Sequence, residues 1–127
     1  MKILIIGRYK PQFPQNLLPF VLEQGESLRQ LGLDIEYMPV RGNYFLAVRN
    51  LKRKICECQP DIVHAHFGLS AITAELQSLV PVVTTFHNGE TLNRHVNLMT
   101  SLFSLRAKHV VYVAQHIHDL VYFKAKN

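Results

Sequence analysis

Pro60-Asp61-Ile62-Val63-His64-Ala65-His66-Phe67-Gly68 decides the fold. It reads as a short buried strand that starts at Ile62, ends in two histidines and runs into the small residues of a helix start at Gly68 and Ser70. A continuous apolar run of this length, followed at once by a helical pattern, belongs to a strand covered on both faces. The pattern recurs about twenty residues on. Val82-Val83-Thr84-Thr85-Phe86-His87 is a second such strand, followed by Asn88-Gly89-Glu90. Open α/β sheets bind ligands at the carboxyl ends of their strands, so both strands carry histidines to the rim where chemistry is expected.

Outward from this pair, strand and helix signals alternate with short connections, the pattern of a parallel α/β domain. Lys2 to Ile6 is the first strand, ended by Gly7, with a loop over Arg8 to Asn16. A helix from Leu18 to Leu31 follows, with Pro19 in the first turn where its missing N–H costs nothing. Val21, Gly25, Leu28 and Leu31 or Gly32 share its inner face, Gly25 marks a close helix–sheet approach, and Gly32 ends it. Asp34 to Val40 is the second strand. Tyr44 to Cys58 is a helix with Phe45, Val48, Leu51 or Lys52, and Ile55 on its apolar face. After strand three come a helix over Ser70 to Leu79, strand four, and a helix over Thr91 to Leu105 that turns Leu92, Val96, Met99 and Phe103 inward. His109 to Ala114 is strand five, and a last helix begins at Gln115. Adjacency and right-handed crossovers predict a Rossmann-like, doubly wound parallel sheet of about five strands in the order 2-1-3-4-5, with helices on both faces. The ligand crevice then lies between the Gly7–Asn16 loop and the His64–Gly68 segment.

At 127 residues the chain fits one domain with a real core, and 48% apolar against 18% charged residues excludes a disordered chain. No apolar run reaches the roughly 20 residues of a membrane helix, and Met1-Lys2 leads into a strand with no signal-peptide pattern, so the cytoplasm is the expected compartment. Cys56 and Cys58, two apart on a helix, do not face each other and read as free thiols. The formal charge of +5 is concentrated in Arg49, Lys52, Arg53 and Lys54. This cluster is either a solvated helix face or a contact for phosphate, nucleic acid or the inner face of an anionic membrane. No nucleic-acid module accompanies it, which argues against nucleic acid as a partner.

The candidate chemistry sits at the rim. His64 and His66, two apart on a strand, share a face. His64, deeper in the strand, suits a structural role, while His66 and His87 suit ligand contact. Three histidines at one rim also have the right chemistry for zinc, although no metal spacing motif is present. Gly68-Leu69-Ser70 and Asn88-Gly89-Glu90-Thr91 place backbone N–H groups at helix starts, where anions or ordinary caps at Ser70 and Thr91 are both served. Glu90 is either a general base or a partner of the helix dipole. The loop after strand one has neither G-x-G-x-x-G nor a Walker A sequence, so no dinucleotide or common nucleotide-triphosphate site is expected. His116 and His118 fall on different faces of the last helix and read as surface residues.

These residues together resemble a family. Met1-Lys2-Ile3-Leu4-Ile5-Ile6, Pro19-Phe20-Val21-Leu22-Glu23-Gln24 with Leu28 and Gly32, Pro60 to Gly68, and Pro81-Val82-Val83-Thr84-Thr85-Phe86-His87 are similar, in order and spacing, to the N-terminal Rossmann-like half of a GT-B glycosyltransferase of the large retaining family 4. The resemblance spans nearly the whole chain. It implies a nucleotide-sugar-dependent hexosyltransferase of the kind that builds polysaccharides, with two Rossmann-like domains and the active site between them. The C-terminal domain would hold most of the nucleotide-sugar donor, and this one a carbohydrate or lipid-linked acceptor. By the same resemblance His87 sits by the donor sugar as the catalytic residue. Gly7, Arg8, Tyr9 and Lys10 line the cleft with His66 and Phe67, and Asn88, Gly89 and Glu90 complete the substrate contacts. Transfer proceeds with retention, and neither metal nor cofactor is expected.

The chain departs from the family pattern at three places. Arg8-Tyr9-Lys10-Pro11 stands where paired glycines are common, Asn88 separates His87 from Gly89, and Ala114-Gln115-His116 lacks the usual serine. The paired glutamates of the donor-binding domain, eight apart, are not in this sequence. The chain therefore reads as the acceptor-side domain of a longer polypeptide, inactive alone and prone to self-association through apolar surface left uncovered. The alternative is a non-enzymatic flavodoxin-like domain that binds a phosphorylated ligand.

Overall fold

A computed structural model describes residues 1–66, 68–87 and 92–124. Five strands form one parallel sheet in the order β2-β1-β3-β4-β5, the predicted order. The strands are β1 (Lys2–Arg8), β2 (Asp34–Val40), β3 (Ile62–His66), β4 (Val82–Phe86) and β5 (His109–Tyr112). The helices are α1 (Pro19–Gln30), α2 (Tyr44–Cys58), α3 (Gly68–Gln77), α4 (Arg94–Ser104) and α5 (Gln115–Leu120). Gly7 does not end the first strand. It pairs with Pro39 and Arg8 with Val40, so β1 runs two residues further than its apolar run. The missing Cβ of Gly7 makes room for Leu17, whose Cδ2 a methyl there would meet at 3.1 Å. Leu17 is fully buried and pins the far end of the loop after β1. Pro39 is tolerated because β2 is an edge strand.

Alternation splits the core into two sides. Leu4, Ile6, Val63, Ala65 and Val82 face α2 and α3, where Ala47, Leu51, Ile55, Ala71 and Ala74 meet them. Ile3, Ile5 and Ile35 face α1 through Leu17 and Val21. A third cluster of Phe86, Val110, Ile117 and Val121 joins β4 and β5 to α5. Gly25 does allow a close approach. A Cβ there would strike Tyr37, whose ring atoms lie within 2.8 Å of that position and whose hydroxyl donates to the Leu22 carbonyl at 3.3 Å. Gly32, with φ of +86°, terminates α1 as expected.

Two helices are rotated from their expected faces. Asn43 caps α2 by accepting the Leu46 N–H at 2.9 Å, and Ala47, Leu51 and Ile55 turn inward. Phe45 is left 79% exposed and Val48 half-buried. In α4 the buried stripe is polar: Asn97, Thr100, Ser101 and Ser104 pack on α3, while Leu98, Met99, Leu102 and Leu105 are exposed. Nor are Val96 and Phe103 more than half-buried, and Leu92 lies exposed before the helix. Small side chains let α4 come close to the small-residue surface of α3. The Ser101 and Ser104 hydroxyls satisfy themselves on carbonyls three residues back, at 3.1 and 2.8 Å. Helix α3 begins at Gly68, so Ser70 is buried in its first turn rather than capping it, and α3 ends at Gln77 rather than Leu79. Asn93 caps α4 by accepting the N–H groups of His95 and Val96. The fifth strand stops at Tyr112, short of Ala114. Cys56 and Cys58 are free thiols, and burial pushes the Cys58 thiol up.

Candidate functional site

Strand β3 enters the sheet by a tight junction. Gln59 ends α2 in the left-handed region with φ of 48°. Asp61 then exchanges bonds with the head of β1: its N–H donates to the Lys2 carbonyl at 2.8 Å, and its carboxylate accepts the Lys2 N–H at 2.7 Å. From that fixed start, alternation turns His64 and His66 toward the α1 side of the sheet, level with Ile5 and Thr85. Strand β4 brings His87 to the same rim, just past its last residue.

The three rings form a connected group. His66 Nδ1 and His87 Nε2 are 3.1 Å apart, so one ring donates to the other. His64 Nε2 lies 2.8 Å from the Thr85 hydroxyl. The His64 and His66 ring centres are 4.5 Å apart and those of His66 and His87 are 5.4 Å apart. Phe20, in the first turn of α1, leans on His87 with centroids at 4.9 Å and reaches His66 edge-on at 6.3 Å. His66 is only 1% exposed, and among the described residues its Nε2 has no hydrogen-bond partner. His64 is buried beside it, whereas His87 is half-buried and open to the rim. Sequence reading set His66 on the cleft wall; in the fold it lies beneath His87 and reaches the rim through that ring.

Burial dominates the electrostatics. It lowers the His64 imidazole to about 4, helped by the nearby His87, and His66 to about 3, helped by both other rings. Burial also lowers His87. All three are therefore neutral near pH 7, and the group works through hydrogen bonds rather than through charge. Among the described residues no three His, Cys, Asp or Glu side chains converge as a metal would require. His66 and His87 bond directly to each other instead.

The residues after β1 lie at the same edge. Gly7 is buried, Arg8 exposed, and Tyr9 and Lys10 half-buried. The Tyr9 N–H donates to the Val40 carbonyl at 3.0 Å and the Lys10 N–H to the Asn16 carbonyl at 2.7 Å. Arg41 stacks its guanidinium over the Tyr9 ring at 5.0 Å. A cleft of about 300 Å³ opens here between Arg8, the turn over residues 41–43, and the starts of α2 and α3. It lies on the α2–α3 side of the sheet, and none of the three histidines lines it. Phe67, Asn88, Gly89 and Glu90, together with Thr91, lie outside the described residues. His116 is exposed, and His118 is half-buried with its ring edge-on to Tyr112.

Phe20, quoted only as part of a helix motif, and Arg41 were given no site role from the sequence. Phe20 looked like one more apolar residue of a helix start, and nothing local announces that it lands on His87. Arg41 belongs to a turn whose geometry only the left-handed φ of Gly42 sets.

No helix among the described residues is long and apolar enough to cross a membrane. No curated protein matches the chain significantly. A family model described as Glycosyltransferase Family 4 matches residues 10–122. That match takes in the Phe20 contact, both histidine-bearing strands and the cleft-lining turn, and the chain belongs to that family.

Proposed function

We propose that the chain is the acceptor-binding, N-terminal domain of a GT-B enzyme that moves a sugar from a nucleotide-sugar donor to a carbohydrate or lipid-linked acceptor with retention. The donor nucleotide is held mainly by a second domain on further polypeptide, and this domain alone does not turn over. The observation that carries the reading is a half-buried, neutral imidazole, His87, at the carboxyl end of β4 in a chain of this family. A neutral ring fixed by His66 on one nitrogen and by Phe20 on its face is suited to orient a sugar hydroxyl at the reacting carbon. Family membership weighs against the alternative of a stand-alone phosphate-binding domain.

Peripheral contact with an anionic membrane belongs to the same reading. Exposed Tyr44, Phe45 and Leu46 begin α2. Arg49 and Lys52 follow, and both are free of the ion pairs that engage Arg53 with Glu57 and Lys54 with Glu36.

The experiment is release of nucleoside diphosphate from nucleotide sugars by this domain, alone and joined to its donor-binding partner domain. Turnover is expected only in the joined protein. His87→Ala lowers it by about 10²–10³-fold, the usual cost of one positioned polar group. It also lowers the melting temperature by a few degrees while keeping the fold, because the buried His66 Nδ1 loses its partner. Undiminished turnover in that variant removes His87 from the reacting centre.

A further inference from the structure

None of the three histidines lines the cleft beside Arg8, and its walls are selective. Among the described residues, two guanidinium groups, from Arg8 and Arg41, are the charges that line it, and no carboxylate does. Among the described residues neither arginine is ion-paired. Of the other polar side chains along the wall, the exposed Tyr44 hydroxyl can donate as well as accept, and Asn43 and Thr73 are already engaged. The Asn43 carbonyl oxygen accepts the Leu46 N–H, and the Thr73 hydroxyl donates to the Leu69 carbonyl at 2.9 Å. What remains to a ligand is therefore mainly donors. Arg41 is held in place by the face of Tyr9, which is itself tied to Val40. Gly42, with φ of +84°, bends the chain so that its backbone borders the opening, and a Cβ there would meet nothing within 4 Å. Apolar walls from Val40, Ala47 and Leu69 lower the local dielectric and concentrate the field of the two cations.

A site with planar, always-charged donor forks and no acceptor of its own charge fits oxyanions with several oxygens, above all phosphate. A volume near 300 Å³ takes such a group with a few attached carbons and little more. We propose that this cleft captures a phosphate-class group on the acceptor, with Arg8 and Arg41 as its specificity-determining residues. Assignment of the anion to the acceptor rests on the glycosyltransferase reading; capture of the anion does not. An acceptor held here reaches the carboxyl edge of the sheet from the α2–α3 side, while His87 meets the donor sugar from the α1 side.

The test is a titration of the 127-residue chain followed by amide NMR at constant ionic strength. The probes are inorganic phosphate, glycerol 3-phosphate and glycerol. Saturable shifts at Gly42 and Leu69 are expected with the two phosphates and not with glycerol. Arg8→Gln and Arg41→Gln each weaken binding at least tenfold, and Arg49→Gln, outside the cleft, does not. All three positions are exposed, so the fold is kept. Shifts that never saturate, or an equal loss in Arg49→Gln, overturn the proposal by showing diffuse charge attraction. Vesicles of phosphatidic acid in phosphatidylcholine separate the sources. Competition by soluble glycerol 3-phosphate assigns a soluble acceptor. Vesicle capture that Arg8→Gln and Arg41→Gln abolish and Arg49→Gln does not assigns a lipid headgroup, whereas capture that only Arg49→Gln weakens belongs to the α2 face and overturns the site. The two readings fail separately. Phosphate capture without sugar transfer in the joined enzyme removes the transferase and keeps the cleft. A transferase whose acceptor KM is unmoved by Arg41→Gln keeps the enzyme and removes this role.

Discussion

At the scale of residues, buried titratable groups set how the protein answers to pH. His64, His66 and His87 all have lowered values in the fold. As pH falls below about 6.5 the unfolded chain takes up protons that the folded one refuses. Stability is therefore lost progressively from there toward about 4 for His64 and about 3 for His66, with a slope of up to about 1.4 kcal/mol per pH unit for each of these two buried rings and less for the more open His87. Glu75 opposes them. It is buried on α3 with Oε1 unpartnered among the described residues. Burial pushes its carboxyl up to about 7, against the pull of Arg106. Its folded value lies above the unfolded one, so its contribution is present at low pH and lost as pH rises from about 4.5 through 7. Urea unfolding of Glu75→Gln across pH 5–8 should show a gain in stability at pH 8 and a steeper loss on the acid side. An unchanged profile would mean that Glu75 is solvated. Some of this was legible beforehand: alternation placed His64 and His66 on one face, and their neighbours' type foretold burial. That His66 is sealed was not, because the seal is made by Phe20, forty-six positions away, and by His87 on the next strand.

At the scale of elements, strands were easier to read than helix faces. An apolar run flanked by small and polar residues has one way to lie in a parallel sheet, and the strand order followed. Helix faces depend on which side neighbours leave open. Phe45 and the leucines of α4 point outward because Asn43 and the small surface of α3 set the rotation, and hydrophobicity alone cannot show that. Gly25 is the exception, a helix position whose purpose could be read from its cost. Gly25→Leu should lower stability by about 1–3 kcal/mol, as overpacking does, because the new side chain meets Tyr37. Adding Tyr37→Ala should recover part of that loss in a double-mutant cycle, and strict additivity would show that the two do not touch. For α2, the exposed Phe45 beside Arg49 and Lys52 predicts sedimentation with anionic vesicles and not with zwitterionic ones. Replacing both cations by Gln should weaken this by about 2 kcal/mol, roughly thirty-fold. Equal binding to both vesicle types would exclude the electrostatic part.

At the scale of the whole molecule, the sheet separates two unlike interiors. One side, under α2 and α3, is hydrocarbon along β1 and β3, with Thr84 the polar residue that β4 buries there. On the other, α1 covers isoleucines at one end and imidazoles and a threonine hydroxyl at the other. The expected architecture, a doubly wound parallel sheet, stands, but composition gave no sign of this asymmetry, since it arises from the register of β3 against β4. Acid should therefore undo the protein from one flank. Near pH 4, hydrogen exchange read by mass spectrometry should find α1 and the ends of β3 and β4 unprotected while α2 and α3 keep their amides. Simultaneous loss over the entire chain would contradict this. The sheet would then serve as a firebreak: protons admitted on the histidine flank would loosen the rim around His87 while the opposite flank stood, ready to guide that rim back once the medium is neutral again.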